Sequence, residues 1–119
     1  MMKMNYCVLG TNDMSASIKF YDALFEPAGL KGVSPSGRMT YWLGEAFAFA
    51  TALPFDENPA RHGNGSMVGF CVGTAEEVRR YHDRAIALGG ICEGAPGSRG
   101  PRFSAYVRDL DGNKLCFSD

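Results

Sequence analysis

The sequence lacks the charge imbalance that marks a partner of strongly charged surfaces. Its 119 residues include 12 Lys and Arg against 13 Asp and Glu, a net charge of −1, and the basic residues are scattered along the chain. Nucleic acids and anionic membrane surfaces attract concentrated positive charge, so we expect neither as a partner.

Long apolar runs are also missing. No segment approaches the roughly 20 apolar residues that a transmembrane helix needs, and the apolar run within MMKMNYCVLG is too short for a secretory signal. We therefore expect a cytoplasmic protein. The 45% hydrophobic and 21% charged content favours a single globular domain with its own core.

Metal-binding spacings are absent as well. The four cysteines are far apart and form neither a CxxC pair nor a Cys/His motif: Cys7, Cys71, Cys92 and Cys116. Without a secretion signal, they are expected to be reduced thiols that pack as small hydrophobic residues.

A weak internal repeat is present in the chain. Phe20-Tyr21-Asp22 returns 61 residues later as Tyr81-His82-Asp83, and Gly29-Leu30 returns as Gly90-Ile91. Matches on one diagonal at equivalent points of the pattern indicate a duplicated module.

Each half reads as one strand, one helix and three more strands. Asp13 is the expected N-cap of the first helix, and Thr74 with Glu77 forms a capping box for the second. The pattern predicts an α+β fold, with two βαβββ modules that form a curved mixed sheet and helices on its outer face. The expected boundaries are module one at residues 1–53, a linker at 54–65 and module two at 66–119.

Period-2 alternation assigns a face to each strand residue. Apolar rows are expected beneath the helices: Phe47 and Phe49; Val68, Phe70 and Val72; Phe103, Ala105 and Val107; Leu115 and Phe117. The opposite face is expected to line a cleft: Tyr6, Val8, Thr40, Trp42, Ala48, Ala50, Met67, Gly69, Ser104, Tyr106 and Cys116.

Several segments together resemble the vicinal oxygen chelate superfamily, which includes glyoxalase I, extradiol dioxygenases, and bleomycin and fosfomycin resistance proteins. The resemblance is carried by the strand that runs into GTND, by FYDAL, by GNGSMVGF, by the Gly-Gly after the second helix and by the closing YVRDLDGNKL. It covers essentially the whole chain, and it implies the glyoxalase/bleomycin resistance fold and a homodimer.

In metal-dependent members of that superfamily, four cleft-facing positions hold the ion, typically as His or Gln, Glu, His and Glu. The matching positions here are Tyr6, Ala48, Met67 and Cys116. A phenol, a methyl group, a thioether and one thiol are not a ligand set for a hard divalent ion. We therefore predict no metal and no cofactor, and we do not expect the standard metal-dependent glyoxalase or dioxygenase activity.

The residues leave several site hypotheses open. The ligand-binding candidates are Tyr6, Trp42, Ala48, Met67, Arg102, Tyr106 and Cys116. Trp42 and Tyr106 are equally compatible with core or interface packing, and Arg102, like Arg38, Arg61 and Arg99, with ordinary loop solubility. Cys116 is interpreted as a structural thiol rather than a nucleophile, and His82 is expected on a helix surface.

The resemblance and the residues at the cleft positions are compatible with three alternative functions. The leading hypothesis is a protein that binds a small, mainly apolar or aromatic molecule without a metal. The second is a glyoxalase-like lyase or isomerase with an atypical metal site or a metal-free mechanism, in which Tyr6 or His62 transfers protons. The third is a degenerate, non-catalytic structural or regulatory member.

Overall fold

The computed structural model describes residues 1–119. The chain forms two compact units, Met1–Arg61 and His62–Asp119. The expected division of a single domain into module one (1–53), a linker (54–65) and module two (66–119) stays a prediction. Neither helix is long and apolar enough to cross a membrane.

The first unit contains four strands and one long helix. They follow the chain as β1 (Tyr6–Gly10), α1 (Met14–Phe25), β2 (Gly32–Val33), β3 (Met39–Leu43) and β4 (Ala48–Ala52), with a 3-10 turn at Glu26–Ala28 after α1. The sheet order is β1-β4-β3-β2, with β1 and β4 parallel and the other pairs antiparallel.

The second unit repeats this arrangement. Its elements are β5 (Val68–Cys71), α2 (Ala75–Ala87), β6 (Ile91–Arg99), β7 (Arg102–Arg108) and β8 (Lys114–Ser118). The sheet order β5-β8-β7-β6, again with one parallel pair, is the same as in the first unit. The predicted βαβββ repeat and α+β class are therefore confirmed as two four-stranded mixed sheets, each with one helix.

Both helices begin where the sequence predicts. The Asp13 carboxylate accepts a hydrogen bond from the Ala16 amide at 3.0 Å, and the Thr74 hydroxyl accepts one from the Glu77 amide at 3.1 Å. Each bond satisfies one of the amide donors that the first helical turn leaves without a partner.

The closing turn of the second unit is organised by a buried carboxylate. Asp109 accepts hydrogen bonds from the amides of Asp111 and Asn113 at 2.9 Å and from the Asn113 side chain at 3.0 Å. Gly112 has φ +84°, a conformation that glycine adopts without strain. This turn joins the antiparallel strands β7 and β8 as a hairpin, and Asp109 is the residue that holds it.

The first unit departs from the expected strand faces at two places. Thr40 and Trp42 of β3 are fully buried and lie beneath α1, where the Trp42 indole N–H donates to Asp22 at 2.8 Å. Phe47 lies in the turn before β4 and is 43% exposed. Its ring lies close to Gly44, whose amide donates to the Phe47 carbonyl at 2.8 Å.

Candidate functional site

Each sheet has one face covered by its helix and one open face. In the first unit, register places the open-face residues on three neighbouring strands: Tyr6 and Val8, Ala48 and Ala50, Tyr41 and Leu43. In the second unit the open face carries Gly69, Ser104, Tyr106, Lys114 and Cys116. A sheet face that its own helix leaves uncovered is the place where a small molecule can contact several strands at once.

The position of Trp42 corrects one ligand-binding candidate. Trp42 belongs to the core of the first unit, because the alternation of β3 directs Tyr41, not Trp42, to the open face. Tyr41 contacts Tyr6 edge to face, with ring centroids 6.4 Å apart. Tyr6 is 57% exposed, so the first open face presents an accessible aromatic pair.

The repeat itself carries the signal that identifies Tyr41. Tyr41 pairs with Ala50 in the first unit, as Tyr106 pairs with Cys116 in the second. Tyr41 and Tyr106 are thus equivalent, and Ala50 rather than Ala48 is the first-unit equivalent of Cys116. The expected faces of β3 are wrong by one residue, because Thr40 and Trp42 alternate with residues that are equally apolar, and alternation alone fits either face.

The residues at the family's metal positions do not fit a divalent ion. Cys116 offers one buried thiol, and Met67, which precedes β5, offers a thioether. Neither Ala48 nor Ala50 offers a donor atom, so the choice between them does not change the result. The chain contains no group of three or more His, Cys, Asp or Glu side chains that could hold a metal ion.

The open face of the second unit combines an aromatic ring with two cations. The Arg99 guanidinium lies 5.0 Å from the centre of the Tyr106 ring, and the Lys114 ammonium lies 5.3 Å from it. Arg99 is fixed there by hydrogen bonds to the carbonyls of Ala95 at 2.7 Å and of Ser104. We call Arg99, Tyr106 and Lys114 the Tyr106 cluster.

Free space lies beside this cluster. Gly69 is the register partner of Cys116, and a Cβ atom at Gly69 would meet no atom within 4 Å. Cys116 in turn is the register partner of Tyr106. The short side chains at these two positions leave room over the sheet for a ligand next to the Tyr106 cluster.

The first unit has a cavity of about 390 Å³ at the ends of β1 and β4. Apolar atoms from Val8, Ala52 and Phe55 line it together with Arg38 and Arg61. The Arg38 guanidinium lies 5.6 Å from the centre of the Phe55 ring and donates to the Leu53 carbonyl at 3.0 Å.

The charges of this cavity are mixed. Hydrogen bonds from Asn58 to the Asp56 carboxylate hold the pKa of Asp56 below its ordinary value, and the charge of Arg61 acts in the same direction. Asp56 is therefore an anion at neutral pH and offsets part of the positive charge of the two arginines. The Tyr106 cluster carries two cations in direct contact with an aromatic ring, so it is the stronger candidate for an acidic ligand.

Two further candidates, Arg102 and His62, make other contacts in the second unit. Arg102 is exposed and donates to the Asp119 carbonyl at 3.2 Å. His62 is exposed, and its ring lies against Gly112, since a Cβ atom there would be 3.0 Å from His62 Nδ1. Whether either residue contacts a ligand stays a prediction, as it does for Tyr6, Ala48 and Met67.

Comparisons with known proteins agree with this geometry. A model of the glyoxalase/bleomycin resistance protein/dioxygenase superfamily matches residues 3–117. The crystal structure of a glyoxalase/bleomycin resistance protein from Albidiferax ferrireducens T118 is 38% identical, with a TM-score of 0.90 over 97% of this chain and 96% of that one.

More distant structures share the fold. Fosfomycin resistance protein FosX from Mesorhizobium loti is 18% identical, with a TM-score of 0.72 over 98% of this chain and 90% of that one. Lactoylglutathione lyase from Agrobacterium tumefaciens is 22% identical, with a TM-score of 0.71 over 98% and 92%. No curated protein matches the chain. The resemblance inferred from the sequence and its fold are thereby confirmed.

Proposed function

Because this chain belongs to the glyoxalase/bleomycin resistance protein/dioxygenase superfamily, we propose that it binds a small acidic molecule with an aromatic or apolar body, without a metal ion. The Tyr106 cluster carries this proposal. A planar ligand gains contact area from the Tyr106 ring, and a carboxylate gains a charged hydrogen bond from Arg99 or Lys114.

The fixed position of Arg99 supports the acidic part of the ligand. Its guanidinium is held by backbone carbonyls of the β6–β7 hairpin, so binding an anion costs little additional side-chain entropy. Lys114 reaches the same ring from β8, so the two cations come from different strands. An acid that binds between them would contact both without a rearrangement of the sheet.

The absence of a fitting ligand set supports the metal-free part. Tyr6, Met67 and Cys116 supply no imidazole or carboxylate where metal-dependent relatives have them. The expected result is no stoichiometric metal in protein purified without chelators, and no tight binding of added nickel, zinc or manganese. Stoichiometric binding of any of the three would overturn it.

The ligand is tested by pairs of compounds that differ only in charge. Phenylacetate is expected to bind and raise the melting temperature, whereas phenylacetamide is not, because the amide lacks the charge that Arg99 and Lys114 recognise. Arg99→Gln and Lys114→Gln should each weaken the binding of phenylacetate about tenfold, as expected for one charged hydrogen bond. Isothermal titration measures both.

Arg79→Gln is the matched control. Arg79 lies over the Phe103 ring at 4.7 Å, so it makes the same kind of contact as Arg99, but on α2 and away from the open face. Its substitution should leave phenylacetate binding unchanged. Equal binding of acid and amide, or equal losses in Arg79→Gln and Arg99→Gln, would contradict the acidic-ligand proposal.

The homodimer implied by the family resemblance is part of the proposal. Sedimentation equilibrium at several protein concentrations measures it directly. If the protein is a monomer at all concentrations, the homodimer proposal is wrong. The ligand proposal is tested separately by the binding of phenylacetate.

A further inference from the structure

A cysteine and a histidine meet on the second unit, outside both open faces. His82 Nε2 lies 3.2 Å from Cys92 Sγ, and the two residues come from α2 and from the edge strand β6. His82 is 9% exposed, whereas Cys92 is exposed. The sequence pattern predicted a helix-surface position for His82, and its burial beside a thiol corrects that prediction.

The surroundings of His82 select one protonation pattern. Nδ1 is buried without a hydrogen-bond partner and lies 3.8 Å from the Asp83 carboxylate. A proton on Nδ1 is attracted by that carboxylate, whereas a lone pair there is repelled by it. The favoured neutral tautomer therefore carries its proton on Nδ1, and Nε2 accepts from the Cys92 thiol.

This arrangement is that of an activated nucleophile. A thiolate rather than a thiol attacks electrophiles, and an imidazole within hydrogen-bond distance can receive the thiol proton. The imidazolium so formed would lie beside Asp83, which stabilises its charge. In this arrangement Cys92 is the nucleophile, His82 is its base, and Asp83 is the carboxylate next to the base.

The other three cysteines lack this arrangement. Burial raises the pKa of the Cys7 thiol, and Cys116 is buried. Cys71 is exposed like Cys92, but its thiol donates to the Asp119 carbonyl at 3.3 Å. The main-chain oxygen of Asp119 accepts a hydrogen bond from the thiol but is a much weaker base than imidazole, so Cys71 is an internal control that is exposed like Cys92.

The backbone presents Cys92 at the sheet edge. β6 is the last strand of its sheet, and the pairing of β6 with β7 shifts between Cys92 and Gly94. A shift of this kind redirects side chains next to it. The thiol is therefore open to a small reagent while its sulfur stays in contact with His82.

We propose that Cys92 is a reactive thiol that exchanges with small, low-molecular-weight disulfides, with His82 as its base. The Cys92 sulfur attacks one sulfur of the disulfide, a new S–S bond forms and the old one breaks. The thiol proton passes to His82 Nε2 and then to the departing thiolate, so the products are a mixed disulfide on Cys92 and one free thiol. This modification site is independent of the proposed ligand site.

The probe is 2-hydroxyethyl disulfide, which is small and uncharged, added to the native full-length protein. Mass spectrometry of peptides follows each cysteine with time. Cys92 should be modified before Cys71, and His82→Gln should slow Cys92 about tenfold while leaving the rate of Cys71 unchanged, because glutamine cannot receive the proton. Equal rates at Cys92 and Cys71, or an unchanged Cys92 rate in His82→Gln, would overturn the proposal.

Asp83→Asn supplies a second variant. Asp83 is exposed, so this substitution should leave the packing of α2 intact, which circular dichroism can verify. The Cys92 rate should fall several-fold, because the imidazolium loses its neighbouring charge. If His82→Gln does not fold, an unchanged Cys92 rate in Asp83→Asn contradicts the proposal.

Discussion

The two units share one topology but have different cores. Beneath α1, rings from Phe20, Tyr21, Phe25, Trp42 and Phe49 are in mutual contact, with Tyr21 and Phe49 centroids 4.8 Å apart. Beneath α2 the buried residues are mainly aliphatic, namely Val78, Ala85, Ala105, Val107 and Leu115, with Tyr81 lying 5.4 Å from Phe117.

This difference shows which features the topology requires. Both sheets need an apolar row beneath the helix, but the row can be filled by rings or by smaller aliphatic groups. Trp42 and Val107 occupy equivalent positions by register. Trp42 pairs with the buried Phe49, and Val107 pairs with the buried Leu115. The size of the side chain at that position distinguishes the two cores.

Each unit also has a polar contact between its helix and its sheet, and these two contacts differ in their hydrogen bonding. In the first unit, Asp22 accepts from the Trp42 indole at 2.8 Å and from the Gly32 amide at 3.1 Å. In the second, His82 contacts Cys92 and leaves Nδ1 without a partner. A carboxylate oxygen that accepts two hydrogen bonds favours stability, whereas a buried polar atom without a partner calls for a structural or functional explanation.

The largest expected effect comes from truncating the two equivalent core positions. Trp42→Ala should lower the free energy of unfolding by about 3–5 kcal/mol, because it leaves a large cavity among packed rings. Val107→Ala should cost about 2 kcal/mol, since it removes a smaller buried group. Urea denaturation followed by circular dichroism measures both, and equal losses would contradict the distinction between the two cores.

A smaller effect is expected from the two polar contacts. Asp22→Ala should cost about 1–3 kcal/mol, because it leaves the buried Trp42 N–H without an acceptor. His82→Leu should be close to neutral, within about 1 kcal/mol, since the loss of one hydrogen bond to the exposed Cys92 thiol is offset by removal of the buried, unpartnered Nδ1. Thermal and urea denaturation compare the two variants.

A clear loss of stability in His82→Leu would show that the histidine is mainly a packing residue. Asp22→Asn is the control for the first unit. It keeps an oxygen acceptor for the Trp42 indole, so most of the stability lost in Asp22→Ala should return.

The smallest effect concerns pH and is confined to the second unit. A hydrogen bond from Arg108 at 2.6 Å, together with the charge of Arg108, holds the pKa of Glu93 below its ordinary value of 4.5. A carboxylate with a lowered pKa stabilises the fold above its unfolded-state pKa, and this contribution is lost as the pH falls through the folded-state value. The difference in melting temperature between wild type and Glu93→Gln should therefore shrink on acidification.

Arg108→Gln provides the control for this pair. In that background, Glu93→Gln should change the pH dependence much less, because Arg108, the largest cause of the lowered pKa, is gone and only the smaller effect of the Lys114 charge remains. A pH dependence that survives in the double variant would assign it to another group.

Much of the fold could be predicted from the sequence, because the helix caps, the turns and the alternation of strand residues depend on neighbouring residues. Asp13 and Thr74 each cap a helix through the amide three residues away, and the Asp109–Asn113 turn is closed by its own side chains. The repeat placed both helices and all eight strands. Face assignment succeeded in β7 and β8, where Val107, Leu115 and Phe117 alternate with smaller or polar residues.

The candidate site was less accessible. In β3 the residues Tyr41 and Trp42 are both aromatic, and alternation alone does not decide which of the two is buried. The register with β4 decides it, because Trp42 is opposite the buried Phe49. Arg99 was one of four loop arginines in the sequence, and only the long β6–β7 hairpin brings it onto Tyr106.

The sequence by itself determined the duplicated βαβββ plan and the helix caps, and its family resemblance identified Tyr6, Met67 and Cys116 as positions without metal-binding side chains. The caps depend on residue type and on spacing within a few positions, and the plan depends on a pattern that each half of the chain contains. Tertiary structure alone decided which aromatic side chains are exposed, which cations reach Tyr106, and that His82 meets Cys92. Those contacts join separate elements, so they depend on strand register and on the packing of a helix against its sheet, which no local pattern specifies.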